Sequence, residues 1–251
     1  MRETVLKALD RRAAAGRPAR LWWRDDDAVE PTAALDRMLG LARDWQVPLA
    51  LAVIPEPTGT PLAERLQGEG LATVTVHGWA HKNHAPAGEK KAELGAHRPA
   101  PVVLGELARG LETLRGLHGS RPAPVLVPPW NRIAPEVVAG LPALGFRALS
   151  VFGPPKPAPL AVINTHVDLI DWHGTRGGRP VEALYADFAR ELDRPGDEPI
   201  GILGHHLVHD EQAWAFLADL FALTRDHPGC RWVGLGDLLP PANPSDSAID
   251  R

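Results

Sequence analysis

At 251 residues the chain has the length of one α/β barrel, for which about 250 residues is usual, and it can bury a substantial core. Hydrophobic residues at 44% and charged residues at 23% are ordinary globular values, and a net charge of −4 leaves no basic footprint, so nucleic acid is not expected as a partner. The single cysteine, Cys230, excludes an internal disulfide and any Cys-x-x-Cys motif, and is expected to be a packed thiol. No uncharged apolar run approaches the ~18 residues of a membrane span, so no membrane is expected. Met1–Lys7 lacks the apolar stretch of a signal peptide, and a cytoplasmic location is expected.

Residues 3–15 have the spacing of an amphipathic helix, ended by Gly16 and Pro18. A strand over 19–24 then runs into three adjacent carboxylates, Asp25, Asp26 and Asp27. Thr32 is placed to cap a helix over 33–45, and 48–54 reads as a buried strand stopped by Pro55. A short helix over 60–68 leads to the strand of 71–76, which delivers His77, His81 and His84. Residues 85–101 show no period and read as a long loop. Helix 102–118, strand 124–127, helix 134–143 and strand 146–150 follow. Beyond the proline-rich crossing at 153–159 come strand 161–167, helix 180–193, strand 199–204, helix 211–226 and a short last strand at 231–233. The alternation predicts one distorted, TIM-barrel-like (β/α) barrel of about seven parallel strands over residues 1–240, with a flexible tail at 241–251.

Five strand ends carry polar clusters: Asp25–Asp27, His77–His84, Trp130–Arg132, Asp168–His173 and His205–Asp210. Parallel strands bring all five to one face, where barrel enzymes keep their chemistry. His77 and His81 are four apart, so one tight loop aims both imidazoles at one point. With a carboxylate they make a usual ligand set for a catalytic divalent metal. Taken alone, the same histidines are equally ordinary polar loop residues. Trp79, Trp130 and Trp172 are placed to stack on a sugar ring, although large aromatics more often pack in a core.

The order and content of these clusters resemble the polysaccharide deacetylases, the carbohydrate-esterase family that hydrolyses N-acetyl groups on amino sugars. The resemblance runs from about Leu21 to Leu238. Arg24-Asp25-Asp26-Asp27 resembles the first motif, an aromatic-Asp-Asp-Gly, which implies Asp25 as catalytic base and Asp26 as metal ligand. His77-Gly78-Trp79-Ala80-His81 is similar to the second, His-(Ser/Thr)-x-x-His, which implies His77 and His81 as the other ligands. Gly78 stands where a hydroxyl residue usually steadies that loop. Pro128-Pro129-Trp130 resembles the third motif but lacks the arginine that holds the base, with Leu126 or Val127 in its place and Arg132 as a substitute. Asp168-Leu169-Ile170-Asp171-Trp172 fits the fourth motif, whose aspartate and tryptophan support the acid. Ile202-Leu203-Gly204-His205 resembles the fifth and implies His205 as general acid, with His206 as alternative. His84 is expected to contact the substrate or to support the ligands.

The resemblance implies a hydrolase that removes an acetyl or other acyl group from an N-acylated amino sugar or polysaccharide. Its cofactor is a divalent metal, zinc foremost, with cobalt, nickel, iron or manganese fitting the same ligands. Two other readings remain: an amidohydrolase acting on a small non-sugar acylated amine or a cyclic amide, and an impaired sugar-binding relic.

Overall fold

The computed structural model describes residues 1–241, so the expected tail falls outside the described residues apart from Pro241. Helix α1 (Arg2–Ala14) precedes strand β1 (Ala19–Ala28). Then follow α2 (Ala33–Trp45), β2 (Leu49–Val53), α3 (Thr60–Arg65), β3 (Ala72–His77), α4 (Ala100–His118) and β4 (Pro122–Val127). The second half contributes α5 (Pro135–Gly140), β5 (Ala148–Leu149), β6 (Ala161–Val162), β7 (Val167–Asp168), α6 (Val181–Asp193) and β8 (Ile200–Gly204). It ends with α7 (Glu211–Thr224), β9 (Cys230–Trp232) and the unexpected α8 (Leu235–Leu238).

The pairings between these strands are all parallel, in the order β6-β5-β4-β3-β2-β1-β8-β7, with β9 added beside β1. The α/β barrel expectation therefore holds. The strand expected over 161–167 is interrupted, forming β6 and β7 instead. Ile163 N–H donates to Leu149 on one side, and His166 N–H donates to Gly201 on the other. The interruption thus lets one segment border both β5 and β8. The prolines and glycine of 153–159 enter this crossing without adding a strand.

Strand alternation sorts the core into two layers. Trp22, Ala50, Val125, Ala148 and Ile163 point into the barrel, where the small alanines leave room for the indole. Its Nε1 donates to the Asn164 carbonyl at 3.2 Å. Leu21, Trp23, Leu49, Leu51, Val74, Val76 and Leu126 point outward, under the helices. Burial on both faces explains why these strands read as near-continuous apolar runs. As expected, Thr32 caps α2, its hydroxyl accepting the Leu35 N–H at 3.0 Å.

Strand β1 is longer than expected and includes the aspartates. Asp25 pairs with Leu51 and Ala28 with Val53, so three steps on β1 face two on β2. That is a β-bulge, and Asp27 sits in it with φ of 73°, a left-handed conformation costly for a residue with a Cβ.

Candidate metal centre

The bulge gives each of the three carboxylates a different partner. Arg24 and Asp26 share the inward face of β1. Arg24 is fully buried, its Nε is 2.9 Å from Asp26 Oδ1, and its Nη2 donates to Asp26 Oδ2 at 3.1 Å. Its Nη1 donates to the Ser150 hydroxyl at 2.6 Å and to the Ser150 carbonyl at 3.1 Å. Asp25 points the other way, where its Oδ1 lies 2.5 Å from His206 Nδ1 and its Oδ2 accepts the His206 N–H at 2.9 Å. Asp27, turned by the bulge, reaches the histidines.

Asp27 Oδ1 is 3.0 Å from His77 Nε2 and 3.2 Å from His81 Nε2. The donor atoms of the three residues all lie within 4.8 Å of one another. The Val127 carbonyl, 2.9 Å from His77 Nδ1, only accepts, so Nδ1 carries a hydrogen, and once Nε2 gives up its proton that atom is the one left for a ligand bond. Burial would raise the Asp27 pKa, but the hydrogen bond and charge of His77 hold it well below the usual carboxylate range. Burial pushes His81 down, keeping that ring neutral. Burial pushes the His77 pKa down, but the hydrogen bond of Asp27 and the charges of Asp26 and Asp27 raise it overall, so a cation bound here would displace the proton between His77 Nε2 and Asp27. The Asp27 carboxylate and the two imidazole Nε2 atoms converge on one point and in that way fit a divalent cation. Sequence reasoning paired Asp26 with the histidines. The structure pairs Asp26 with Arg24 and puts Asp27 in that place, because the bulge breaks the alternation of β1.

On the far side stand the exits of β7 and β8. The Trp172 ring meets the His205 ring edge-on at 4.6 Å, and Trp172 Nε1 donates to Asp168 Oδ2 at 2.9 Å. Burial raises the Asp168 pKa, with the charge of His205 opposing it. His205 Nδ1 is buried without a hydrogen-bond partner. The His205 N–H donates to His209 Nε2 at 3.2 Å. For His206, burial acts downward, yet the Asp25 charge and hydrogen bond raise its pKa overall.

The remaining expected residues divide. Trp130, with φ of 55°, packs its ring 4.3 Å from His81, so it borders the centre. Arg132 is half-buried, and its Nη1 donates to the Lys91 carbonyl rather than to an aspartate. The Trp79 ring lies under the Arg109 guanidinium at 4.8 Å. His84 is exposed. Asp171 Oδ1 accepts the Gly174 N–H at 3.0 Å and closes a turn. Sequence reasoning missed the partnerships of Arg24, Ser150, Glu93 and His209. Of these only Arg24 had a readable signal, its spacing of two from Asp26 on a strand.

No sequence-family model matches the chain, and no curated protein matches it. Solved structures do. A peptidoglycan N-acetylglucosamine deacetylase, Bc1960, superposes with a TM-score of 0.60 at 17% identity, over 90% of this chain and 90% of that one. The chain shares the polysaccharide-deacetylase fold. A family 4 acetyl xylan esterase from Clostridium thermocellum, solved with a cobalt ion, gives a TM-score of 0.56 at 16% identity, over 87% of this chain and 89% of that one. A mutant of BA3943, described as a CE4 family pseudoenzyme with restored activity, gives 0.61 at 14% identity, over 89% of this chain and 68% of that one. The same fold thus carries active and inactive sites, and the residues must decide. Among the described residues no helix is long and apolar enough to cross a membrane.

Proposed function

We propose that the chain is a metal-dependent hydrolase that removes the acyl group from an N-acylated amino sugar. The observation that carries this reading is the convergence of Asp27, His77 and His81 beside a second carboxylate, Asp26, held by a buried arginine. Asp27, His77 and His81 are the metal ligands in this reading. Zinc suits two nitrogens and an oxygen, and cobalt, nickel, iron or manganese take the same set. When bound, such an ion lowers the pKa of water and polarises an acyl oxygen.

Asp26 is the base that takes the proton of the attacking water. Arg24 keeps its carboxylate fixed, and Ser150 fixes Arg24 in turn. Each function therefore moves one residue along β1 from the sequence expectation, which had Asp25 as base and Asp26 as ligand. Asp25 instead holds His206, which leaves His205 as the acid that protonates the departing amine. Trp172 restrains the His205 ring, and Asp168 lies close enough to feel its charge. Trp130 offers a ring face beside His81 for a sugar.

Arg24 also bears on the reading of the chain as a relic. The arginine missing from the third motif would leave the base unheld, but Arg24 supplies a guanidinium to Asp26 from its own strand. The test is acetate release from N-acetylglucosamine oligomers and from small N-acetylated amines, with protein loaded separately with zinc and cobalt. Release that stops in His77→Ala and in Asp26→Asn supports the proposal. Metal-loaded protein that releases nothing from any of these substrates overturns it.

A further inference from the structure

We infer that Glu93 is a positioning residue that presets the His81 loop for metal. The inference rests on the ligand set proposed above, and it reaches outside that set into the long loop that follows β3. The Glu93 carboxylate is buried, with the residue 1% exposed. It accepts the Ala80 N–H at 2.7 Å, the Trp79 N–H at 3.2 Å and the Lys82 N–H at 3.4 Å. Among the described residues no Lys, Arg or His nitrogen lies within 4.0 Å of it as an ion pair. A buried carboxylate of this kind is held by backbone amides alone, and the cost of desolvating it is offset by those bonds.

The three amides bracket His81, whose φ of 54° is left-handed. A non-glycine residue persists there only where its surroundings hold it. Gly78 completes the fit. Its φ is 61°, and a Cβ built on it would lie 2.0 Å from Glu93 Oε2 and 2.7 Å from the Pro129 ring. The carboxylate occupies the space that a side chain at position 78 would need. A hydroxyl residue steadies this loop in the motif that the segment resembles, whereas here a distant carboxylate does so.

Glu93 is itself fixed from both sides. The Ala92 N–H donates to Asn83 Oδ1 at 2.9 Å, and the Ala134 N–H donates to the Leu94 carbonyl at 2.8 Å. The loop that looks structureless in sequence is therefore tied to the His81 loop and to the segment after Trp130. Through Glu93 it sets where His81 Nε2 points.

The experiment titrates cobalt(II) into metal-free wild type, Glu93→Gln, His81→Ala and the double variant, following affinity and the visible absorption of the bound ion. Glu93→Gln is expected to weaken binding about 10- to 100-fold and to change the cobalt spectrum, the size usual for groups that orient ligands. In the His81→Ala background the same substitution is expected to change affinity less than about twofold, because its route to the metal is already gone. Equal losses in both backgrounds, or wild-type affinity and spectrum in Glu93→Gln, overturn the inference. If Glu93→Gln does not fold, Glu93→Asp, which keeps the carboxylate but draws it back from the amides, replaces it in the same cycle, with the same expectations. Wild type that binds no cobalt sinks the ligand set itself, which separates the two failures.

Discussion

Two histidine loops leave the barrel at the same face, and both are braced by a buried carboxylate, but the braces work differently. After β3, Glu93 accepts three backbone amides and touches no histidine. After β8, Asp25 accepts one amide and pairs with an imidazole, that of His206. The first arrangement leaves both imidazoles of its loop free for a ligand. The second uses one of three histidines as an anchor so that its neighbour, His205, faces the site. In the proposed function, the contrast separates a loop that binds metal from a loop that presents a proton.

The largest effects separate the loops by function. His77→Ala is expected to abolish metal binding and with it all turnover. His205→Ala is expected to leave metal binding within about twofold while turnover falls about 10²- to 10⁴-fold, the usual contribution of a general acid. Metal content and initial rates on the same preparations check both. Loss of metal from His205→Ala would merge the two loops into one ligand system and remove the contrast.

Next comes the anchor. Asp25 and His206 are 0% and 1% exposed, so removing one leaves the other buried and unpaired. Asp25→Ala is expected to cost about 3–5 kcal/mol of stability in urea unfolding. Replacing both with leucine is expected to cost less than the sum of the single losses, since no uncompensated charge then remains. Additive losses would mean that the pair does not act as a unit.

A smaller effect distinguishes the third histidine of the same loop. Burial pushes the His209 pKa down to about 4, and its Nε2 accepts the His205 N–H. The folded chain therefore prefers neutral His209. Its contribution is present above the unfolded value of about 6.5 and is lost as pH falls from there towards 4, amounting to roughly 2–3 kcal/mol over that window. Thermal unfolding between pH 7 and 4 should fall less steeply in His209→Gln, whose amide stays neutral and can still accept that N–H. An unchanged slope would place the acid sensitivity elsewhere.

The barrel was readable because parallel strands buried on both faces repeat as apolar runs between helical periods. The convergence of five strand ends followed from topology alone. What stayed hidden was one residue of geometry. Three identical carboxylates carry no mark of which one a bulge will turn, and Asp27 is not the glycine that usually signals a left-handed position. Glu93 was hidden for a different reason. Its partners are backbone amides, which leave no trace in side-chain identity, and its segment has no period. His206 was read as a second acid because sequence shows an imidazole but not the buried carboxylate behind it.

The smallest expected effect concerns the two arginines, one on each side of that lesson. Position in sequence favoured Arg132, which follows Trp130 at the expected strand end. Geometry favours Arg24, two residues before Asp26 and on the same face of β1. Arg132 is half-buried and donates to the Lys91 carbonyl, so Arg132→Ala is expected to change stability by no more than about 1 kcal/mol, the usual net worth of one such hydrogen bond. Turnover should stay within about twofold. Arg24→Met, by contrast, leaves Asp26 buried without its cation and should lower turnover together with stability. Rates and urea midpoints for the two variants decide the matter. A tenfold loss of turnover in Arg132→Ala would return the guanidinium of the site to the loop after β4 and leave Arg24 as a structural partner alone.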